Sequence, residues 1–170
     1  YMTEAGTKTL TPNSSYFKVA AWTNTAPTNF TFNSTNGTVE LTAALPAIQG
    51  VTTFYNLTHT GTSNILAGIS LTSNITITGA FTISGVNSSN YRQLIYSSVI
   101  GTPRSITCNG TITASNVDFR DITLAGSANR DLSAITGGSG DCGGNSGITF
   151  TPAQKQYFKH TSGAVNFSDA

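Results

Sequence analysis

Two short stretches carry the residue types that enzymes use, and each can be tested against the chemistry it suggests. The first runs from Gly137 to Gly147, a glycine-rich segment with Asp141 and Cys142 at its centre. A serine nucleophile of the Gly-Asp-Ser-Gly-Gly kind would need Ser where Cys142 follows Gly140-Asp141, with a distant His and Asp in support. A cysteine nucleophile needs a histidine base, and the chain holds only His59 and His160. Calcium-binding Gly-Gly-x-Gly-x-Asp nonapeptides place Asp one residue later than Asp141 and occur in tandem. A phosphate loop would end in Gly-Lys-Ser or Gly-Lys-Thr, which is absent. What is left is the backbone freedom of glycine, so the run reads as a tight crossover loop anchored by Cys142.

The second stretch is Asp118-Phe119-Arg120-Asp121-Ile122. Glycoside hydrolysis requires two carboxylates about one bond, but residues three apart on a strand point to opposite faces. Asp118 and Arg120 share a face and read as a local charge pair, while Asp121 begins the next turn. No catalytic set emerges. Cys108 and Cys142 either pair as a disulfide in an oxidising compartment or serve as two small apolar residues. Two Cys and two His with neither CxxC nor HxxxH spacing do not compose a zinc site, so neither metal nor cofactor is expected. Aromatic rings offer a binding chemistry instead: Trp22, Tyr16 and Tyr55, with Tyr91 and Tyr96, could stack on sugar rings. Trp22, in a Thr-, Asn- and Pro-rich neighbourhood, is the least core-like of these.

The elements that must position such residues are strands. From Ile69 to Val86, odd positions carry Ile69, Leu71, Ile75, Ile77, Phe81 and Ile83, and even positions carry Ser70, Thr72, Asn74, Thr76, Thr78, Thr82 and Ser84. Period-two alternation buries one face, and Gly79 marks a bend between two successive strands. A second alternation through Ile106, Cys108 and Ile112 changes phase to Val117 and Phe119, which requires an extra residue near Ser115-Asn116. Short strands around Phe30, Val39 and Phe54 are bounded by Asn, Gly or Pro, whereas Ala43-Ala44-Leu45 stops on Pro46. The expected fold is all-β. A right-handed parallel β-helix is favoured, with an antiparallel β-sandwich or jelly roll as the alternative. Asn74 to Gly79 and Asn109 to Ala114 echo each other as coil repeats would.

Only 9% of the 170 residues are charged and the formal net charge is +1, which provides no basic stripe for nucleic acid. No run of about eighteen apolar residues predicts a membrane span. Asn-x-Ser or Asn-x-Thr triplets occur at Asn13, Asn29, Asn33, Asn36, Asn56, Asn74, Asn87, Asn109 and Asn166, as a chain this rich in those residues generates by composition alone. Thr9-Leu10-Thr11-Pro12 followed by Tyr16-Phe17-Lys18 recurs as Thr149-Phe150-Thr151-Pro152 followed by Tyr157-Phe158-Lys159. Residues 1–150 therefore read as one β-rich module, and 151–170 as the start of a following module or a C-terminal extension.

The stretch from Asn116 to Thr151, with Val117-Asp118-Phe119-Arg120-Asp121-Ile122, then Asp131-Leu132-Ser133-Ala134-Ile135, then the Gly137–Phe150 loop and strand, resembles repeated β-helical modules of phage tail- or fibre-like and metagenomic surface proteins. In those proteins a Tyr-Trp-Val-Gly-Gly type segment follows, and here Gln156-Tyr157-Phe158-Lys159 lacks its Trp and Gly pair. The resemblance implies a virion or cell-surface component and supplies no catalytic residues. Composition and resemblance together lead us to expect a non-enzymatic structural or adhesive module, extracellular or on a virion. Its expected partners are neighbouring copies or modules and cell-surface glycans. A carbohydrate-binding adhesin domain is the alternative, and a polysaccharide-degrading β-helix enzyme ranks behind it.

Overall fold

The computed structural model describes residues 7–11, 13–25, 30–33, 35–61, 66–86 and 92–153. Seventeen short strands wind through it in a repeating order of three faces, and no helix occurs among the described residues. The first face holds β1 (Lys8–Leu10) and β4 (Phe30–Phe32), then β7 (Thr52–Phe54), β10 (Ile75–Ile77), β13 (Arg104–Cys108) and β16 (Ile122–Ala125). The second holds β2 (Tyr16–Val19), β5 (Thr38–Leu41), β8 (Asn56–Thr60), β11 (Ala80–Ser84) and β14 (Thr111–Ser115). The third holds β3 (Trp22–Thr23), β6 (Ala47–Gln49), β9 (Ala67–Leu71), β12 (Gln93–Ser97), β15 (Val117–Arg120) and β17 (Ser139–Asp141). Every ladder between these strands is parallel, and each strand pairs with the one a full coil away. The chain is a parallel β-helix. On the first face β1 pairs only with β4, and the continuous ladder of that face begins at β7.

Alternation accounts for the core. One side of each strand turns inward, stacking Val39, Leu57 and Phe81 along the second face and Ile69, Ile95 and Phe119 along the third. All six are at most 1% exposed. The alternation from Ile69 to Ile83 spans three strands rather than two, because Ser73-Asn74 and Thr78-Gly79 both turn corners. The phase change at Asn116 is a one-residue corner with φ of 47°, and Asp121 forms the next with φ of 54°. Both residue types tolerate the left-handed region better than most. The Asn74 and Asn109 segments are not coil equivalents: Ile77 pairs with Cys108, so one segment enters the first face and the other the second.

One buried polar cluster interrupts the aliphatic stack. His59 lies inward between Leu41 and Ile83 in the ladder and is 0% exposed. Its Nδ1 sits 2.7 Å from Gln93 Oε1 and its Nε2 sits 2.9 Å from the Ala43 carbonyl. Gln93, equally buried, donates through Nε2 to the carbonyls of His59 and Ser84. The cluster ties together three successive coils where the second face turns into the third. An unsatisfied buried polar group costs about 1–3 kcal/mol, so Gln93→Leu is expected to lower unfolding free energy by about 3 kcal/mol in a urea titration. The double variant His59→Leu with Gln93→Leu should lose less than the sum of the two single changes.

Candidate functional site

The densest group of chemically capable side chains lies on the outer side of the third face, near its C-terminal end. Because Ile95, Val117, Phe119 and Ser139 point inward, alternation sends Tyr96, Asp118 and Arg120 outward. Register aligns Leu94 with Asp118 and Tyr96 with Arg120. The Arg120 guanidinium lies 5.1 Å from the centre of the Tyr96 ring, a cation–π contact. Its Nε is 3.8 Å from an Asp121 carboxylate oxygen and has no hydrogen-bond partner.

Arg92, just before β12, is committed differently. Its Nε donates to both Asp118 oxygens at 2.8 Å. Its Nη2 donates to the carbonyls of Val117 and Gly138 at 3.0 Å, and its Nη1 to that of Gly137. It thus staples the glycine-rich crossover to β15. Asp118 is therefore paired with Arg92 and not with Arg120 as the local sequence suggested, because the coil brings a residue 26 positions away closer than strand geometry allows its neighbour.

An open depression of about 520 Å³ borders this group, lined by Arg92, Asp118, Ser139, Asp141, Phe150 and Thr151. Two carboxylates line it, and both are occupied. Asp118 is held by Arg92, while Asp141 Oδ1 accepts from the Gly143 amide and from Asn145 Nδ2. Asp121, at the corner between β15 and β16, is 4% exposed, accepts from the Gly101 amide and lies 3.8 Å from Arg120 Nε. The arrangement offers a guanidinium, an aromatic ring and polar backbone for binding. It does not offer two free carboxylates about one point.

The glycine-rich run contains β17 and is anchored by Arg92 and Asn145, not by Cys142, which is exposed. Asn145 donates to the Phe119 carbonyl and accepts from the Ile122 amide, bridging β15 and β16. Cys108 and Cys142 are both free, so no disulfide joins them. Cys108 points into the core from the first face, stacked beside Ile77, whereas Cys142 follows β17 on the third face. Burial pushes both thiols above their usual range, and for Cys142 the charges of Asp118 and Asp141 push further against the pull of Arg120 and Arg92. His59 is enclosed with both ring nitrogens engaged, which removes it as a base. His160 lies outside the described residues. No group of three or more potential metal-ligating side chains occurs among the described residues.

The three aromatics singled out from sequence do not form a platform. Trp22 packs into the core end, 4.7 Å from Phe32 and 5.2 Å from Phe54 ring to ring, with its indole N–H donated to Thr52 Oγ1. Its polar neighbourhood in sequence misled, because the residues packed on it come from later coils. Tyr16 is 57% exposed on the second face, and its phenol donates to Glu40. That hydrogen bond raises the Tyr16 pKa, while Lys18 and then Tyr16 hold the Glu40 carboxyl below its ordinary range. Tyr55 sits at the corner between β7 and β8, beside Gly79. Tyr91 lies outside the described residues. Of the asparagines in Asn-x-Ser or Asn-x-Thr triplets, Asn56 is spent on Thr38 Oγ1 and the Ala80 amide, and Asn74 accepts from the Ser105 amide.

A thiol reagent applied to the native protein should modify one cysteine rapidly, Cys142, and reach Cys108 only on unfolding. Mass spectrometry of the labelled peptides reads the order directly. No family model, curated protein or solved structure matches this chain, and its function is argued from its own residues.

Proposed function

We propose that the chain is a structural and adhesive module of an extracellular or virion fibre built from tandem repeats, with no catalysis of its own. The observation that carries this reading is the stack of parallel strands running through the third face from β3 to β17. A solenoid grows by adding coils along one axis, so it suits a protein whose work is to extend and to present surface. The commitment of Asp118, Asp121 and Asp141 to structural bonds supports a non-enzymatic role. The recurrence of the Thr9–Lys18 pattern near residues 149–159 supports a tandem arrangement, although Tyr157, Phe158 and Lys159 lie outside the described residues.

Carbohydrate binding is a second reading, favoured by one observation: Tyr96 stacked under Arg120 beside the open depression. A ring face and a guanidinium with spare donors are what a sugar needs on its apolar and hydroxyl sides. This moves the candidate platform from Trp22, Tyr16 and Tyr55 to Tyr96 and Arg120.

Electron microscopy of the particle or surface that carries the protein should show rods with an axial repeat. A compact particle without periodicity would remove the fibre reading. On a glycan array, wild-type signal that disappears in Tyr96→Ala and in Arg120→Ala would establish the second reading, and signal indifferent to both changes would end it.

A further inference from the structure

His59, fully enclosed, is pinched between two oxygens. Its Nδ1 faces Gln93 Oε1 at 2.7 Å and its Nε2 faces the Ala43 carbonyl at 2.9 Å. The backbone oxygen accepts and has no other role. The amide of Gln93 could offer nitrogen instead by turning over, but its Nε2 already donates to the carbonyls of His59 and Ser84. Turned over, it would set its own oxygen against both of those. A neutral imidazole carries one N–H and one lone pair, so here it satisfies one oxygen and presses its lone pair on the other. An imidazolium has a donor on each nitrogen and matches both.

No countercharge faces it among the described residues. On the strands packed against β8, the groups that titrate or carry charge turn outward: Glu40 of β5, held by Lys18 and Tyr16, and Tyr96 of β12, beneath Arg120. β6, β9, β11 and residues 42–46 contribute none, and β8 has no other. Arg92, next to Gln93, sends its guanidinium to Asp118. The two other buried titratable groups sit at the other corners of the coil. Cys108 points to the Thr111 carbonyl between the first and second faces, and Asp121 accepts from the Gly101 amide between the third and first. The charged form of His59 is therefore opposed by desolvation, and the neutral form by a clash of lone pairs. With each form opposed, proton concentration can tip the balance.

We infer that the fold holds His59 as an imidazolium and uses it as a pH-sensitive lock between coils. Carrying both protons, it joins Ala43 of the preceding coil to Gln93 of the following one. When one proton leaves, a contact turns repulsive, and relief at Gln93 requires its amide to rotate and give up the carbonyls of His59 and Ser84. The corner between the second and third faces then loses its polar ties across three coils. The unfolded chain releases the same proton near the ordinary histidine value of about 6.5. Below that pH both states hold it; above, the folded state alone does, so stability falls as pH rises. This lock depends on neither the fibre nor the glycan reading.

Nitrogen-15 NMR of the full chain, in a His160→Gln background that leaves one imidazole, tests the protonation directly at about pH 6. Two protonated ring nitrogens with slowly exchanging hydrogens are expected, and one unprotonated, pyridine-type nitrogen would overturn the inference. Urea titrations from about pH 5.5 to about pH 8 supply a second readout. The unfolding constant of the wild type should rise with pH by up to tenfold per unit, the most that one proton can give. His160→Gln should keep that dependence and His59→Gln should lose it, whatever its absolute stability. An unfolding constant that stays flat in the wild type, or rises as steeply in His59→Gln, would equally overturn it.

Discussion

A parallel strand cannot satisfy its backbone from the strand that follows it in the chain; it must wait for the chain to travel round and return. That constraint governs this molecule. Each rung joins residues 18 to 31 positions apart, as Arg104 with Ile122 and Ile75 with Ile106 show. The inward side chains are thereby stacked on like neighbours, and coil length varies only at the corners, where chain can be added without shifting a rung. The outer surface inherits the same order, so any exposed residue type that recurs in phase becomes a file of identical groups.

The polar interior follows from the same geometry. Where the second face turns into the third, a narrow corner brings backbone carbonyls inside, and His59 and Gln93 answer them. Two coils on, Asn116 takes the corner itself and donates to the Val86 carbonyl. Close approach there demands glycine: a Cβ on Gly137 would fall 1.7 Å from the Asn116 side-chain oxygen. The glycine-rich run is thus set by contact with the preceding coil at Gly137 and Gly140, and by left-handed backbone at Gly138 and Gly143.

How much the sequence reveals follows the same division between local and coil-distant effects. The inward residues from Ile69 to Ile83 and the corner at Asn116 are legible, because alternation and its phase are local properties. The faces themselves are less so, since the Asn74 and Asn109 segments look equivalent and occupy different ones. The candidate site is least legible of all. Asp118 finds Arg92, Tyr96 finds Arg120 and Trp22 finds Phe54, each through a register that no window of neighbouring residues contains. That Asp121 leaves the strand and begins the next turn was readable from its place between Arg120 and Ile122.

The break in the first face between β4 and β7 has a mechanical meaning. In a solenoid the backbone hydrogen bonds lie along the long axis, so tension on a fibre is borne by each coil interface in turn, with all faces of that interface sharing the load. At the second and third faces β5 grips β8 and β6 grips β9, but among the described residues the first contributes no strand pairing at that level. Among the described residues two ladders hold that interface, as they do the last one, where β13 grips β16 and β15 grips β17 but β14 has no further partner, whereas three hold the others; a stretched filament of such coils would part first at one of these two levels.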